Sequence, residues 1–279
     1  MINKLYIIFL IIVLFQPLAA ADFYILYSSN INGTIQNCNC GKEPLGGVGR
    51  IATFIKEFRN INPNTIVIDG GDYFNSYPFL LLNRTMLRAL CCISYDVIAP
   101  GDQEFVEGYK FYNQFERLNR NKILISNRVH NGRKKLSFNF DKFNVHIYSY
   151  LSTKAFSFIK LPEELQLLPF SDIKDTHETG CNVIIFHGSS SEAELVVNET
   201  GWIDLILLAH DQYAEVKHIS NTVIVGGGRD SEFIVIVAVS KSSGDWKFNI
   251  SKKKMDDTIK EDQEILEFIQ EYHAAINSK

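Results

Sequence analysis

Cysteine, proline and net charge are all scarce in this sequence, and each shortage removes a class of protein. Five cysteines in 279 residues cannot build a disulfide scaffold, although they suffice for one or two cross-links. Seven prolines and 17 glycines exclude a collagen-like or proline-rich disordered chain. The 28 Lys+Arg against 32 Asp+Glu leave a formal charge of −4 with the signs interspersed, so nucleic acid is not an expected partner. No internal repeat or low-complexity tract is visible. What remains is ordinary globular material, 46% hydrophobic and 12% aromatic, enough for one large domain.

The amino terminus stands apart. Lys4 supplies a positive charge, Leu5 to Phe15 is an unbroken apolar run, and Gln16-Pro17 breaks it before Ala19-Ala20-Ala21. This order predicts a secretory signal peptide over residues 1–21. The run is about half of the roughly 20 residues that a membrane span needs, and no second run of that length occurs later. The expected mature chain is soluble and secreted or periplasmic.

From residue 22 onward, short apolar runs alternate with helical periodicity. Strands are predicted at Phe23–Tyr27, Thr65–Asp69, Asp96–Ala99, Ile123–Ile125, Asn182–Phe186 and Ile203–Leu208. Helices are predicted over residues 46–59, 80–90 and 109–118, with a hairpin over 135–150. The pattern then turns all-β, at residues 215–219, 222–225, 233–239 and 246–250. A last amphipathic helix, within residues 256–279, sets Ile265, Phe268, Ile269, Tyr272 and Ile276 on one stripe. Strands alternating with helices imply a largely parallel α/β fold. No linker interrupts residues 22–255.

The chemistry lies just past the carboxyl end of each buried strand, where α/β sheets place their ligands. Those positions carry Ser29-Asn30-Ile31-Asn32-Gly33, Gly70-Gly71-Asp72 and Gly101-Asp102-Gln103-Glu104, then His187 and His210-Asp211-Gln212. A lone histidine is more often a core or surface residue than a ligand. Two carboxylates and two imidazoles, each past a separate strand, converge on one point. Mixed oxygen and nitrogen donors suit Zn, Mn or Fe rather than Ca.

At these residues the sequence resembles the calcineurin-like metallophosphoesterases, in particular the catalytic domain of secreted 5′-nucleotidases and 2′,3′-cyclic phosphodiesterases. Ser29 to Gly33 occupies the place of that branch's Asn-Asp-x-His-Gly. Gly46-Gly47-Val48-Gly49-Arg50 matches its Gly-Gly-x-x-Arg, and Asp69-Gly70-Gly71-Asp72 its Asp-x-Gly-Asp. Gly101 to Val106 corresponds to Gly-Asn-His-Glu-Phe-Asp, and Asn127 to the end of Ser-Ala-Asn. His187 corresponds to the single metal histidine, and His210-Asp211-Gln212 to Gly-His-x-His. The resemblance implies a four-layer α/β/β/α sandwich with mixed sheets.

It also implies a site that is only half kept. The family binds two metals about 3.5–4 Å apart. The first takes an Asp and a His from the opening motif, a bridging Asp and the second His of Gly-His-x-His. Those positions hold Asn30, Asn32, Asp72 and Gln212. The second metal's positions hold Asp72, Asp102, His187 and His210, a complete set with Asp in place of Asn. The catalytic His becomes Gln103, and the Asp that orients it becomes Val106. A carboxamide cannot give and retake a proton near neutral pH. The expectation is therefore one divalent metal with phosphoester hydrolysis weak or absent, and as ligand a phosphorylated molecule or an unidentified exported protein. An active hydrolase is the alternative. Two-domain 5′-nucleotidases hold the base in a domain beyond the last helix, so nucleotide specificity does not carry over.

Two features stand outside that pattern. Cys38-Asn39-Cys40 sits near the expected site mouth, and Cys91-Cys92 ends the second helix, so these four are disulfide candidates, with a metal or redox thiol site as the other readings. Gly226-Gly227-Gly228-Arg229 either cradles an anion or lets a strand pass the site.

Overall fold

The computed structural model describes residues 21–37, 44–130, 132–173 and 177–278. Residues 1–20, all but the last residue of the expected signal peptide, and the Cys38–Cys40 segment lie outside the described residues. Eleven strands and five α-helices are found among those described. In chain order they are β1 (Phe23–Ser28), α1 (Val48–Ile61), β2 (Thr65–Asp69), α2 (Leu80–Cys92), β3 (Val97–Ile98) and α3 (Tyr109–Leu118). Then come β4 (Leu136–Phe140), β5 (Phe143–Leu151), β6 (Cys181–Gly188), α4 (Ser190–Glu199) and β7 (Leu205–His210). The series closes with β8 (Val216–Ile219), β9 (Thr222–Gly226), β10 (Phe233–Ser242), β11 (Asp245–Lys254) and α5 (Gln263–Asn277).

The strands form two mixed sheets, β11-β10-β1-β2-β3 and β4-β5-β6-β7-β9-β8. β1 to β3 run parallel in one, and β5, β6, β7 and β9 in the other. Alternation within single strands explains the layers. Phe23, Ile25 and Tyr27 of β1 meet Val183 and Ile185 of β6 and Leu205 and Leu207 of β7 between the sheets. Leu26 turns the other way, onto α1, α2, α3 and α5. Ile184 and Phe186 turn onto Ala193, Val196 and Val197 of α4. Strands apolar on both faces read as continuous runs, because both faces are covered. The architecture is the four-layer α/β/β/α sandwich.

α5 is the last amphipathic helix that the sequence predicts, and it joins the helical layer, with Ile265 and Ile269 buried and the Arg88 guanidinium 3.9 Å from the Phe268 ring centroid. Two details differ from the sequence expectation. Ile123–Ile125 forms no strand but a single parallel bridge, Ile98 to Ile123. Cys91 and Cys92 are free thiols and not half of a cross-link. They face Asn119–Lys122 and Asp262–Glu264, and burial raises both thiol pKa values. Among the described residues no helix is long and apolar enough to cross a membrane.

Candidate metal centre

The parallel strands of both sheets end at one seam, and the residues at and just past their carboxyl ends supply the site. β2 and β3 deliver Asp72 and Asp102; β6 and β7 deliver His187 and His210. One donor atom from each of these four lies within 4.8 Å of the others. His187 Nε2 is 3.4 Å from Asp72 Oδ1 and 3.3 Å from Asp102 Oδ1. His210 Nδ1 is 3.2 Å from Asp102 Oδ1 and 3.9 Å from Asp72 Oδ2.

The orientation of His187 is fixed by its other nitrogen. Its Nδ1 lies 2.9 Å from the Gly70 carbonyl, which can only accept, so Nδ1 carries the proton and Nε2 faces the carboxylates. The space beside it is kept clear by glycine. A Cβ on Gly101 would fall 2.1 Å from His187 Cε1 and 2.5 Å from Asp72 Oδ1. Donor chemistry and free space both fit one divalent ion.

Glu104 clamps the two carboxylate-bearing loops together. Its Oε2 accepts from Asp72 N at 3.0 Å and Gly101 N at 2.6 Å, and its Oε1 from Tyr73 N at 2.8 Å. Burial and the neighbouring Asp72 push this carboxyl up to about 7. Burial opposes a charged imidazole at His187, but Asp72 and Asp102 outweigh it and hold its pKa well above the usual value. Burial would likewise raise the Asp102 carboxyl. The hydrogen bonds to His187 and His210 win and hold it well below the carboxylate range.

The replaced positions hold amides already in use. Asn30 Nδ2 donates to Gly228 O at 2.7 Å and Asp211 O at 3.3 Å, and its Oδ1 accepts from His210 N at 3.0 Å. Asn32 Nδ2 donates to Asp230 Oδ1 at 2.8 Å, and its Oδ1 accepts from Gln103 Nε2 at 3.1 Å. Gln212 is exposed. Gln103, Gln212 and Arg229 line an open cleft of about 1190 Å³ that also reaches Asp72, Asp102 and His210. Asn127 does not share in it. Fully buried, it spends its amide on Leu151 and Leu168, tying backbone together rather than meeting a ligand.

Backbone strain concentrates here. Asn30, Asn32, Asp72, His210, Asp230 and Ser231 all adopt positive φ, between 52° and 74°. Non-glycine residues rarely occupy that region, and such outliers gather where function over-determines the backbone. Sequence reasoning missed Asp230, Phe158 and Tyr213. The last two are exposed aromatics on the cleft wall, 98% and 65% accessible. No local motif marks any of the three.

Neither a comparison with protein-family models nor one with curated proteins gives a match. Solved structures do. Sulfate thiohydrolase SoxB of Thermus thermophilus is 15% identical, over 92% of this chain and 61% of its own, with a TM-score of 0.77. A 5′-nucleotidase precursor from the same organism is 14% identical, over 92% and 59%, at 0.78. The calcineurin-like phosphoesterase YfkN of Bacillus subtilis is 15% identical, over 91% and 97%, at 0.70. This chain thus spans about three-fifths of the length of the first two. At the level of architecture, the sheets, the covering helices and the donor cluster at their seam make one conclusion: the chain has the fold of the calcineurin-like metallophosphoesterases.

Proposed function

We propose that this chain is an exported protein that holds one divalent transition metal, Zn, Mn or Fe, on Asp72, Asp102, His187 and His210. It binds a phosphorylated anion in the adjoining cleft and hydrolyses phosphoesters weakly or not at all. The observation that carries this reading is the engagement of Asn30 and Asn32. Both amides are engaged in protein hydrogen bonds, so a second ion would meet neutral groups whose NH₂ ends are spent and whose oxygens each already accept one hydrogen bond.

Two carboxylates balance the charge of one divalent ion, which when bound supplies Lewis acidity toward an oxyanion. The chain's own residues do the rest. His187 turns Nε2 inward, and Arg229 adds a half-exposed positive charge to the cleft wall. Gln103 stands where a proton donor would be needed and cannot transfer one. Export is supported by the apolar run and the Ala19-Ala20-Ala21 site.

Purified protein analysed by inductively coupled plasma should contain one metal per chain. Its turnover of an aryl phosphate should fall at least about 10²-fold below a two-metal relative, the minimum that loss of general acid–base catalysis costs. Two tightly held metals with ordinary turnover would instead establish the active-hydrolase reading.

Loading should also release protons. The neighbouring carboxylates of Asp72 and Asp102 raise the His187 pKa and favour a proton on Nε2, which the ion must displace. Calorimetry at pH 7 in buffers of different ionisation enthalpy should show about one proton released per chain. Apparent metal affinity should then weaken as pH falls. Binding without proton release would contradict the charge state assigned to His187.

A further inference from the structure

The amides at the replaced positions form a relay with a fixed direction. It begins at Asp230, a half-exposed carboxylate whose Oδ1 accepts from Asn32. Asn32 must turn its NH₂ toward it, at 2.8 Å, which turns the Asn32 carbonyl toward Gln103. Gln103 must then spend its own NH₂ on that carbonyl, at 3.1 Å. The opposite orientation of Asn32 would set two acceptor oxygens face to face. The relay therefore ends on Gln103 Oε1, a carbonyl oxygen with nothing to accept.

That oxygen is buried and has no hydrogen-bond partner. Gln103 is only 8% exposed, and it belongs to the wall of the cleft that contains Asp72, Asp102 and His210. Buried acceptors are nearly always satisfied, so an orphan beside a candidate metal centre points to a donor that arrives with the ligand. The donor cannot come from a fully deprotonated oxyanion, whose oxygens would face the carbonyl as acceptors. It can come from an oxyanion that retains a hydroxyl.

We propose that Gln103 Oε1 accepts a hydrogen bond from the hydroxyl of a protonated oxyanion, so that the cleft selects phosphate in a protonated form over sulfate. Hydrogenphosphate and sulfate share size, shape and charge, and differ in that one O–H. The position that would carry a proton-transferring histidine in the resembled family serves here as a fixed reader of ligand protonation. Asp230 and Asn32 are positioning residues for it. The proposal rests on the reading of the cleft as an oxyanion site.

The test uses the full chain, metal-free and loaded with one equivalent of zinc, titrated at pH 7 with inorganic phosphate or sulfate at matched ionic strength. Phosphate should bind about tenfold or more tightly than sulfate, the scale set by leaving one buried acceptor unpaired. Gln103→Leu should bring the ratio near one. D230N, a change at a half-exposed position, lets the relay turn over and should shrink the ratio while the circular dichroism spectrum stays native. Equal affinities in the natural chain, a preference that survives Gln103→Leu, or no binding of either anion would each overturn the proposal. Metal content, read separately, keeps the two readings apart. One bound metal without anion preference leaves the metal reading standing and this one fallen. A preference without stoichiometric metal does the reverse.

Discussion

Replacing Gly101 with alanine should lower metal affinity by about 100-fold, the upper range for disturbing the groups that orient metal ligands. The added Cβ would lie 2.1 Å from His187 Cε1 and 2.5 Å from both His187 Nε2 and Asp72 Oδ1. Separations below 3.0 Å force something to move. His187 has nowhere to go: it is fully buried and held by Gly70 O through Nδ1. Asp72 sits at a positive φ of 57°, so its backbone has no easy adjustment either. Gly101 itself does not occupy the left-handed region, and alanine meets no backbone objection there. The damage therefore falls on the centre. Competition with a chromophoric chelator measures the affinity, and His187→Gln, which keeps a planar polar side chain, provides an independent way to disable the same ligand. Unchanged zinc affinity in Gly101→Ala would show that the ion does not bind among these four groups.

Restoring the replaced positions should have the opposite effect. Asn30→Asp, Asn32→His, Gln103→His, Val106→Asp and Gln212→His together should admit a second metal and raise phosphomonoesterase turnover by about 10²–10⁴-fold. The geometry adds a penalty that the substitutions alone do not suggest. Asn30 Nδ2 donates to Gly228 O at 2.7 Å, and aspartate would place an acceptor oxygen there instead. The metal-free restored chain should therefore be less stable than the natural one by about 1–3 kcal/mol, the usual cost of unpaired buried polar groups. Metal should recover the loss by binding only the folded state. Thermal midpoints with and without excess zinc test this directly. A restored chain that binds two metals and still turns over no substrate would show that the missing ligands are not what silences the site.

The fold was legible because its signals are local and repeated. β2 and α3 fall on the residues that the apolar runs and periodicity mark, since a strand covered on both faces leaves a continuous run and a helix leaves a stripe. Ile123–Ile125 carries the same kind of run but makes only one bridge, because pairing depends on neighbours distant in sequence. The four donor residues were legible from position, each at or shortly past the carboxyl end of a separate strand. The roles of Asn30, Asn127 and Asp230 were not. A side chain that bonds backbone 198 residues away, as Asn30 does to Gly228, leaves no trace in spacing. Nor does an exposed aromatic such as Phe158, which sequence cannot distinguish from one in the core.

Glu104 carries a kinetic consequence. By accepting from the N–H groups of Asp72, Tyr73 and Gly101, it locks the loops after β2 and β3 into one rigid piece before any ion arrives. In many small metal sites the chain must order itself around the ion, and loading is as slow as folding. Here capture involves no such search. Uptake from solution should be governed by encounter and by stripping water from the ion. A chelator should leave a folded, empty scaffold, and that scaffold should refill through many cycles without passing through an unfolded state.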